Sequence, residues 1–171
     1  PGITGIDTRE LTKVLREHGV MMGKIVFDDE PDNVPEAVYA GVNYVDRVSC
    51  KEIICYLPAG TSQTFSVNSS YAQLNSQFKK VILVDCGVKT NIIRCLLKRN
   101  VEVIRVPWDY DYSGLEFDGL FISNGPGDPD TCDAAVQNIR KAMVNEKLPI
   151  FGICMGNQLL SKAGGAKIYK L

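Results

Sequence analysis

Val81-Ile82-Leu83-Val84-Asp85 is a continuous apolar run that ends on a carboxylate. Apolar side chains on successive positions predict a strand buried on both faces, as in a parallel sheet. Going on from it, Val88, Ile92, Leu96 and Leu97 share one helical face, closed by Lys98-Arg99-Asn100. Val101 to Val106 reads as a second strand and Leu120-Phe121-Ile122-Ser123 as a third. Thr131 is placed to cap a helix whose apolar face is Ala135, Val136, Ile139, Ala142 and Met143. Pro149-Ile150-Phe151-Gly152-Ile153 is a fourth strand, and residues 155–163 form a helix stopped by Gly164-Gly165. Strands alternating with helices imply an α/β domain with a mostly parallel sheet and flanking helices.

The chain before this pattern reads as part of a smaller α+β domain. Asp7 followed by Glu10 forms a capping box, with Ile6 and Leu11 spaced as a hydrophobic staple, so residues 8–18 are predicted helical and Gly19 stops them. Residues 21–27 read as a strand, 28–35 as a turn-rich loop, 36–41 as a short helix and Ile53–Leu57 as a strand. Ala59 to Ser76 is rich in Ser, Thr, Asn and Gln, which places a boundary at about 58–78. The expected division is therefore 1–72 and 79–171.

Bulk properties exclude several roles. With 171 residues, 45% of them hydrophobic, a core is available to one domain or two small ones. Nineteen Lys and Arg against twenty Asp and Glu give a net charge of -1, so no basic surplus exists for a phosphate backbone, and nucleic-acid binding is not expected. No apolar run approaches the roughly 18–20 residues of a membrane helix. Six Cys without a C-x-x-C pair or a signal-like start imply a reduced, cytoplasmic protein. No His/Cys cluster has metal-ligand spacing, so no metal is expected. The single His, His18, falls in the last turn of the first helix, where it favours the negative helix end.

Two segments fall at strand ends, where open α/β sheets hold their ligands. Ser123-Asn124-Gly125-Pro126-Gly127-Asp128-Pro129 is an irregular, rigid turn whose glycines let backbone N–H groups approach an anion. Gly152-Ile153-Cys154-Met155-Gly156 has the form of a nucleophile elbow between strand and helix. It sets the sulfur of Cys154 at a helix N-terminus, with the N–H of Met155 facing the same space. Cys50, Cys55, Cys86, Cys95 and Cys132 lack these surroundings and read as structural. Asp85 reads as a turn residue at a strand end, and Trp108 as packing at a loop.

Gly152-Ile153-Cys154-Met155-Gly156-Asn157-Gln158-Leu159-Leu160 resembles the G-x-C-x-G-x-Q-L segment of class I (triad) glutamine amidotransferases. The Ser123–Pro129 turn resembles their oxyanion-strand motif. Pro1 to Arg9, Val84 to Asn91 and Gly164 to Lys170 are similar to the carbamoyl-phosphate synthase small chain, and Val106-Pro107-Trp108-Asp109 to its eukaryotic, pyrimidine-pathway form. This resemblance implies that Cys154 attacks the side-chain amide of glutamine. It implies that Gly125 and Met155 form the oxyanion hole, and that both, with Gly127 and Gln158, bind glutamine. Ammonia then passes to a carbamoyl-phosphate synthetase domain or large subunit. That partner makes carbamoyl phosphate from bicarbonate with ATP and Mg, and the chain itself holds no cofactor. The resemblance makes 1–72 the C-terminal part of the small-chain N-terminal domain and 79–171 the first half of the amidotransferase domain.

The family also uses a His and a Glu from a His-x-Glu segment well past the elbow, and the chain ends at Leu171 before it. The 171 residues are thus expected to be a fragment that is a poor glutaminase alone. Asn157 stands where most such members have His. Relatives that use free ammonia have Gly-Asn there but lack the Cys. The alternative is a non-catalytic domain that docks on and activates an ammonia-dependent synthetase; retention of Cys154 speaks against it. Another triad amidotransferase, serving anthranilate or GMP synthesis, is disfavoured by Gly5-Ile6-Asp7-Thr8-Arg9.

Overall fold

The computed structural model describes residues 2–19, 21–25, 41–58, 62–65 (backbone) and 77–169. The chain forms two compact units, Pro1–Ala40 with Tyr169–Leu171, and Gly41–Ile168. The first contains helix α1 (Thr8–His18), capped by the Asp7 carboxylate, which accepts from the N–H groups of Arg9 and Glu10 at 3.0 and 2.9 Å. Glu10 pairs with Lys13 at 2.9 Å.

The second unit contains α2 (Tyr44–Val48), β1 (Ile53–Tyr56), β2 (Ser62–Phe65), β3 (Lys79–Asp85), α3 (Thr90–Leu97), β4 (Val101–Pro107), β5 (Gly119–Ile122), a 3₁₀ turn (Pro129–Thr131), α4 (Asp133–Met143), β6 (Ile150–Gly152) and α5 (Met155–Ala163). The six strands form one sheet in the order β2-β1-β4-β3-β5-β6. β4, β3, β5 and β6 run parallel, and β1 and β2 extend the sheet antiparallel beyond β4.

The continuous apolar runs are buried on both sides, as parallel strands between helices require. On one face Ile82, Val84, Ile104, Val106, Leu120 and Ile122 meet Val136 and Ile139 of α4 and Leu159 of α5. On the other, Leu83 and Val103 meet Ile93 of α3. Truncating one of these fully buried aliphatics to Ala costs about 2–5 kcal/mol.

The expected helices and parallel strands from residue 79 onward are present, and the α/β architecture holds. Three details differ. Residues 21–25, expected within a strand, carry none: Met21, Met22 and Ile25 are exposed. A strand is favoured by side-chain burial and packing on its faces, which these exposed side chains do not have. Residues 26–40, which include most of the expected loop and short helix, lie outside the described residues. The cap of α4 is Cys132 rather than Thr131, because Thr131 is consumed by the preceding 3₁₀ turn and its hydroxyl donates to Asp128 O at 2.7 Å. Finally, the strand expected at Ile53–Leu57 pairs with β4 through Ile54 and Arg105, and β2 forms inside the polar 58–78 segment, so the sheet runs across the expected boundary.

Candidate active site

Three turns leave the same edge of the sheet: 86–89 after β3, 123–129 after β5 and 153–154 after β6. The register aligns them, with Val84 opposite Ile122 and Ile122 opposite Gly152. β4 lies on one side of β3, while β5 and β6 lie on the other. The winding therefore reverses between β3 and β5, the position at which such sheets open a ligand crevice.

Cys154 sits between β6 and α5 with φ 51° and ψ -109°, one of two described non-glycine residues with positive φ. Such a backbone stores on the order of 1–3 kcal/mol and persists only where its surroundings over-determine it. Here they do. Ile153 N–H donates to Ile122 O at 3.0 Å, Gly156 N–H lies 3.0 Å from Ser123 O and 2.9 Å from Ile153 O, and Gln158 N–H donates to Cys154 O at 3.1 Å. A Cβ on Gly152 would meet the carbonyl carbon and oxygen of Gly156 at 2.5 Å, and one on Gly156 would overlap Ile122 O. Both glycines are thus required by close backbone approach. Met155, 1% exposed, anchors the start of α5 in the core, while Cys154 stays exposed at the sheet edge.

The turn after β5 is equally tight. A Cβ on Gly125 would overlap Cys86 O, and Gly127, at φ 86°, faces Tyr44, whose Cβ would lie 3.2 Å away. Among the described residues, neither the N–H of Gly125 nor that of Met155 has a hydrogen-bond acceptor. One backbone donor on the turn after β5 and one next to Cys154 in sequence are therefore unengaged among the described residues, at the ends of neighbouring strands. Gln158 is exposed on the first turn of α5.

Asp85 closes β3 with its side chain fully buried. Its Oδ1 accepts from Gly87 N–H (2.9 Å) and Val88 N–H (2.8 Å). Its Oδ2 accepts from Cys50 N–H (2.7 Å) and from Arg105 Nε and Nη2 (2.9 and 2.6 Å). Burial pushes this carboxyl up, but the Val88, Cys50 and Gly87 N–H groups and Arg105 outweigh it and hold it below the ordinary value of 3.8. The expected turn role is therefore present, together with a buried ion pair that sequence reasoning missed. No local signal marked the pair, because β3 also carries Lys79 and Lys80 and β4 also carries Glu102.

Of the other thiols, Cys55, Cys86 and Cys132 are buried and Cys50 is partly buried, while Cys95 is exposed on α3. Burial pushes the Cys50 thiol up to about 12, with the Asp85 charge adding to it. Burial also raises Cys86 and Cys132. His18 donates from Nδ1 to Val14 O of its own helix at 3.0 Å. Trp108 is tied down at a loop, its backbone N–H on Ser49 Oγ (3.0 Å) and its indole N–H on Asp46 (3.2 Å). Two cavities, of about 330 and 410 Å³, lie beside the 108–118 loop and do not include Cys154. The strand-end turns are the better candidate because they combine an exposed cysteine on a strained backbone with backbone N–H groups that have no acceptor among the described residues. Among the described residues, no group of three His, Cys, Asp or Glu could hold a metal ion, and no helix is long and apolar enough to cross a membrane.

Residues 82–171 match the family model for Glutamine amidotransferase class-I. The whole chain is 46% identical over 173 residues to multifunctional protein CAD of Squalus acanthias, covering 7% of that protein. It is 43% identical over 180 residues to the carbamoyl phosphate synthase small chain of Pyrococcus furiosus, covering 44% of it. It is 38% identical over 172 residues to the human mitochondrial carbamoyl-phosphate synthase [ammonia], covering 10%. The chain spans less than half the length of each of these relatives.

Proposed function

Because the chain belongs to the class-I glutamine amidotransferase family, we propose that it is the glutamine-hydrolysing part of a carbamoyl-phosphate synthase, with Cys154 as nucleophile. The observation that carries this reading is the exposed Cys154, held at φ 51° on an elbow whose flanking glycines admit no side chain. A sulfur so presented can reach a substrate carbonyl without moving the backbone.

The thiolate adds to the side-chain amide carbon of glutamine. The N–H groups of Gly125 and Met155 donate to the oxyanion, and Gly127 and Gln158 position the substrate. The C–N bond breaks as the proton given up by the Cys154 thiol is delivered to the departing nitrogen, so ammonia leaves, and water then cleaves the thioester to glutamate and the free thiol. Splitting amide hydrolysis in this way replaces one hard step by two easier ones, and each oxyanion donor is worth about 10²–10³ in rate. A synthetase domain or large subunit receives the ammonia and combines it with bicarbonate, using ATP and Mg, to make carbamoyl phosphate. In this reading the protein is cytoplasmic and serves the first step of pyrimidine synthesis, in keeping with its likeness to the multifunctional protein.

A second reading, a non-catalytic docking domain that activates an ammonia-using synthetase, draws on Asn157 and on the similarity to the human protein. The two separate on one experiment. The natural full-length protein is treated with an electrophilic glutamine analogue, and the adduct is located by mass spectrometry. The glutaminase reading predicts labelling of Cys154 that excess glutamine prevents. The docking reading predicts none.

A further inference from the structure

We infer that Ser123 and Asn124 are positioning residues that set the direction of the Gly125 N–H, an assignment that rests on the glutaminase reading above. A single peptide unit joins Asn124 to Gly125. Its carbonyl oxygen and N–H lie in one plane and point in opposite directions. Whatever holds the Asn124 oxygen therefore aims the Gly125 N–H.

That holder is Ser123. Its hydroxyl donates to Asn124 O at 2.8 Å and accepts from Cys86 N–H at 2.9 Å. Ser123 is fully buried, so water does not compete for either bond. Its own N–H donates to Val84 O at 3.1 Å, and its carbonyl accepts from Gly156 N–H in the elbow. One residue thus links β3, the oxyanion turn and the first turn of α5.

Asn124 adds a second clamp. Its Nδ2 donates to Gly87 O at 3.1 Å and its Oδ1 accepts from Lys89 N–H at 3.2 Å. The 87–89 turn it grips is itself shaped by Asp85, through the N–H groups of Gly87 and Val88. The Gly125 N–H has no acceptor among the described residues, while the Ser123 hydroxyl and the Asn124 side chain that precede it are both engaged. Preorganised donors of this kind stabilise charge because they need no reorganisation when it develops.

The test uses the natural full-length protein, with Ser123→Ala and Asn124→Ala as separate variants and Cys154→Ser as the control. Three quantities are read: kcat and KM for glutamine hydrolysis, and the rate at which iodoacetamide alkylates Cys154. Alkylation displaces iodide at a saturated carbon and needs no oxyanion donor, so it reports the thiol and elbow alone. The inference predicts a fall in kcat of about 10²-fold, the size associated with a misplaced donor. KM and the alkylation rate stay within about threefold, because the oxyanion exists only beyond the ground state. An unchanged kcat in both variants overturns it. So does a matching fall in kcat and alkylation, which marks general loss of the site. If Ser123→Ala does not fold, Asn124→Ala decides alone, since that side chain is only partly buried. Should Cys154→Ser retain glutaminase activity, the glutaminase reading itself fails, and that outcome is distinct from both of the others.

Discussion

Replacing Asp85 with Asn tests whether a buried charge pair organises the edge of the sheet that carries the site. The Asp85 carboxylate accepts five hydrogen bonds, two on Oδ1 and three on Oδ2. An Asn in the same place keeps an acceptor for Gly87 and Val88, but turns an NH₂ toward Cys50 N–H and the Arg105 guanidinium. Losing one bond at roughly 1 kcal/mol and the bidentate Arg105 contact, taken as one charged interaction, at roughly 1.5–3 kcal/mol gives a destabilisation of about 2.5–4 kcal/mol, which overlaps the range for removing one partner of a buried pair.

The sign with pH follows from the depressed carboxyl. Below the unfolded value of 3.8 the unfolded chain takes up the proton first, so acid weakens wild type while leaving the Asn variant's amide untouched. The gap between the two is full at neutral pH and narrows by about 1.4 kcal/mol per pH unit below 3.8, until the folded carboxyl protonates too. Other acids titrate alike in both proteins and cancel in the difference. Urea unfolding followed by Trp108, the sole Trp and bonded to Ser49 within the same unit, reads the gap at about pH 7 and about pH 3. A gap below about 1 kcal/mol at neutral pH, or one of equal size at both pH values, refutes the argument.

Further outcomes follow from the glycines. Gly125→Ala forces the turn after β5 away from Cys86, whose N–H is anchored on Ser123, and on the proposed glutaminase reading kcat in the natural full-length protein falls about 10²-fold in steady-state assays. Gly152→Ala places a methyl group against the backbone of Gly156 and Asn157, which cannot yield as a side chain would. Its urea midpoint drops by the equivalent of about 1–3 kcal/mol or more, whereas Gly114→Ala, with open space around it, stays near wild type.

Legibility in the sequence tracked how local each cause is. β3, β4 and β5 could be read because burial on both faces leaves an unbroken apolar run. α4 and α5 could be read because one face of each meets the sheet. The elbow was legible because the glycines at 152 and 156 stand where backbones touch. β2 was not, since Ser62-Gln63-Thr64-Phe65 is extended through its pairing with β1 and not through any apolar pattern. α2, of five residues, is too short for a periodicity and is announced only by Asn43, which caps Asp46 N–H at 2.9 Å. The joining of β1 to β4 and the pairing of Asp85 with Arg105 depend on residues distant in sequence, and nothing local encodes them. Asp85 itself could be placed at a turn, because a carboxylate before Cys86-Gly87 can accept the N–H groups that follow it. Ser123 is legible as part of a motif, but its hold on the Asn124 carbonyl depends on the three-dimensional geometry of the turn.

The central claim, that Cys154 is a glutaminase nucleophile supplying ammonia, is tested most directly by Cys154→Ser in the natural full-length protein. Carbamoyl phosphate formation is measured with glutamine and, separately, with ammonia as nitrogen donor. The account predicts that glutamine-dependent synthesis is abolished while ammonia-dependent synthesis continues. Retention of glutamine-dependent synthesis, or equal loss of both, would contradict it.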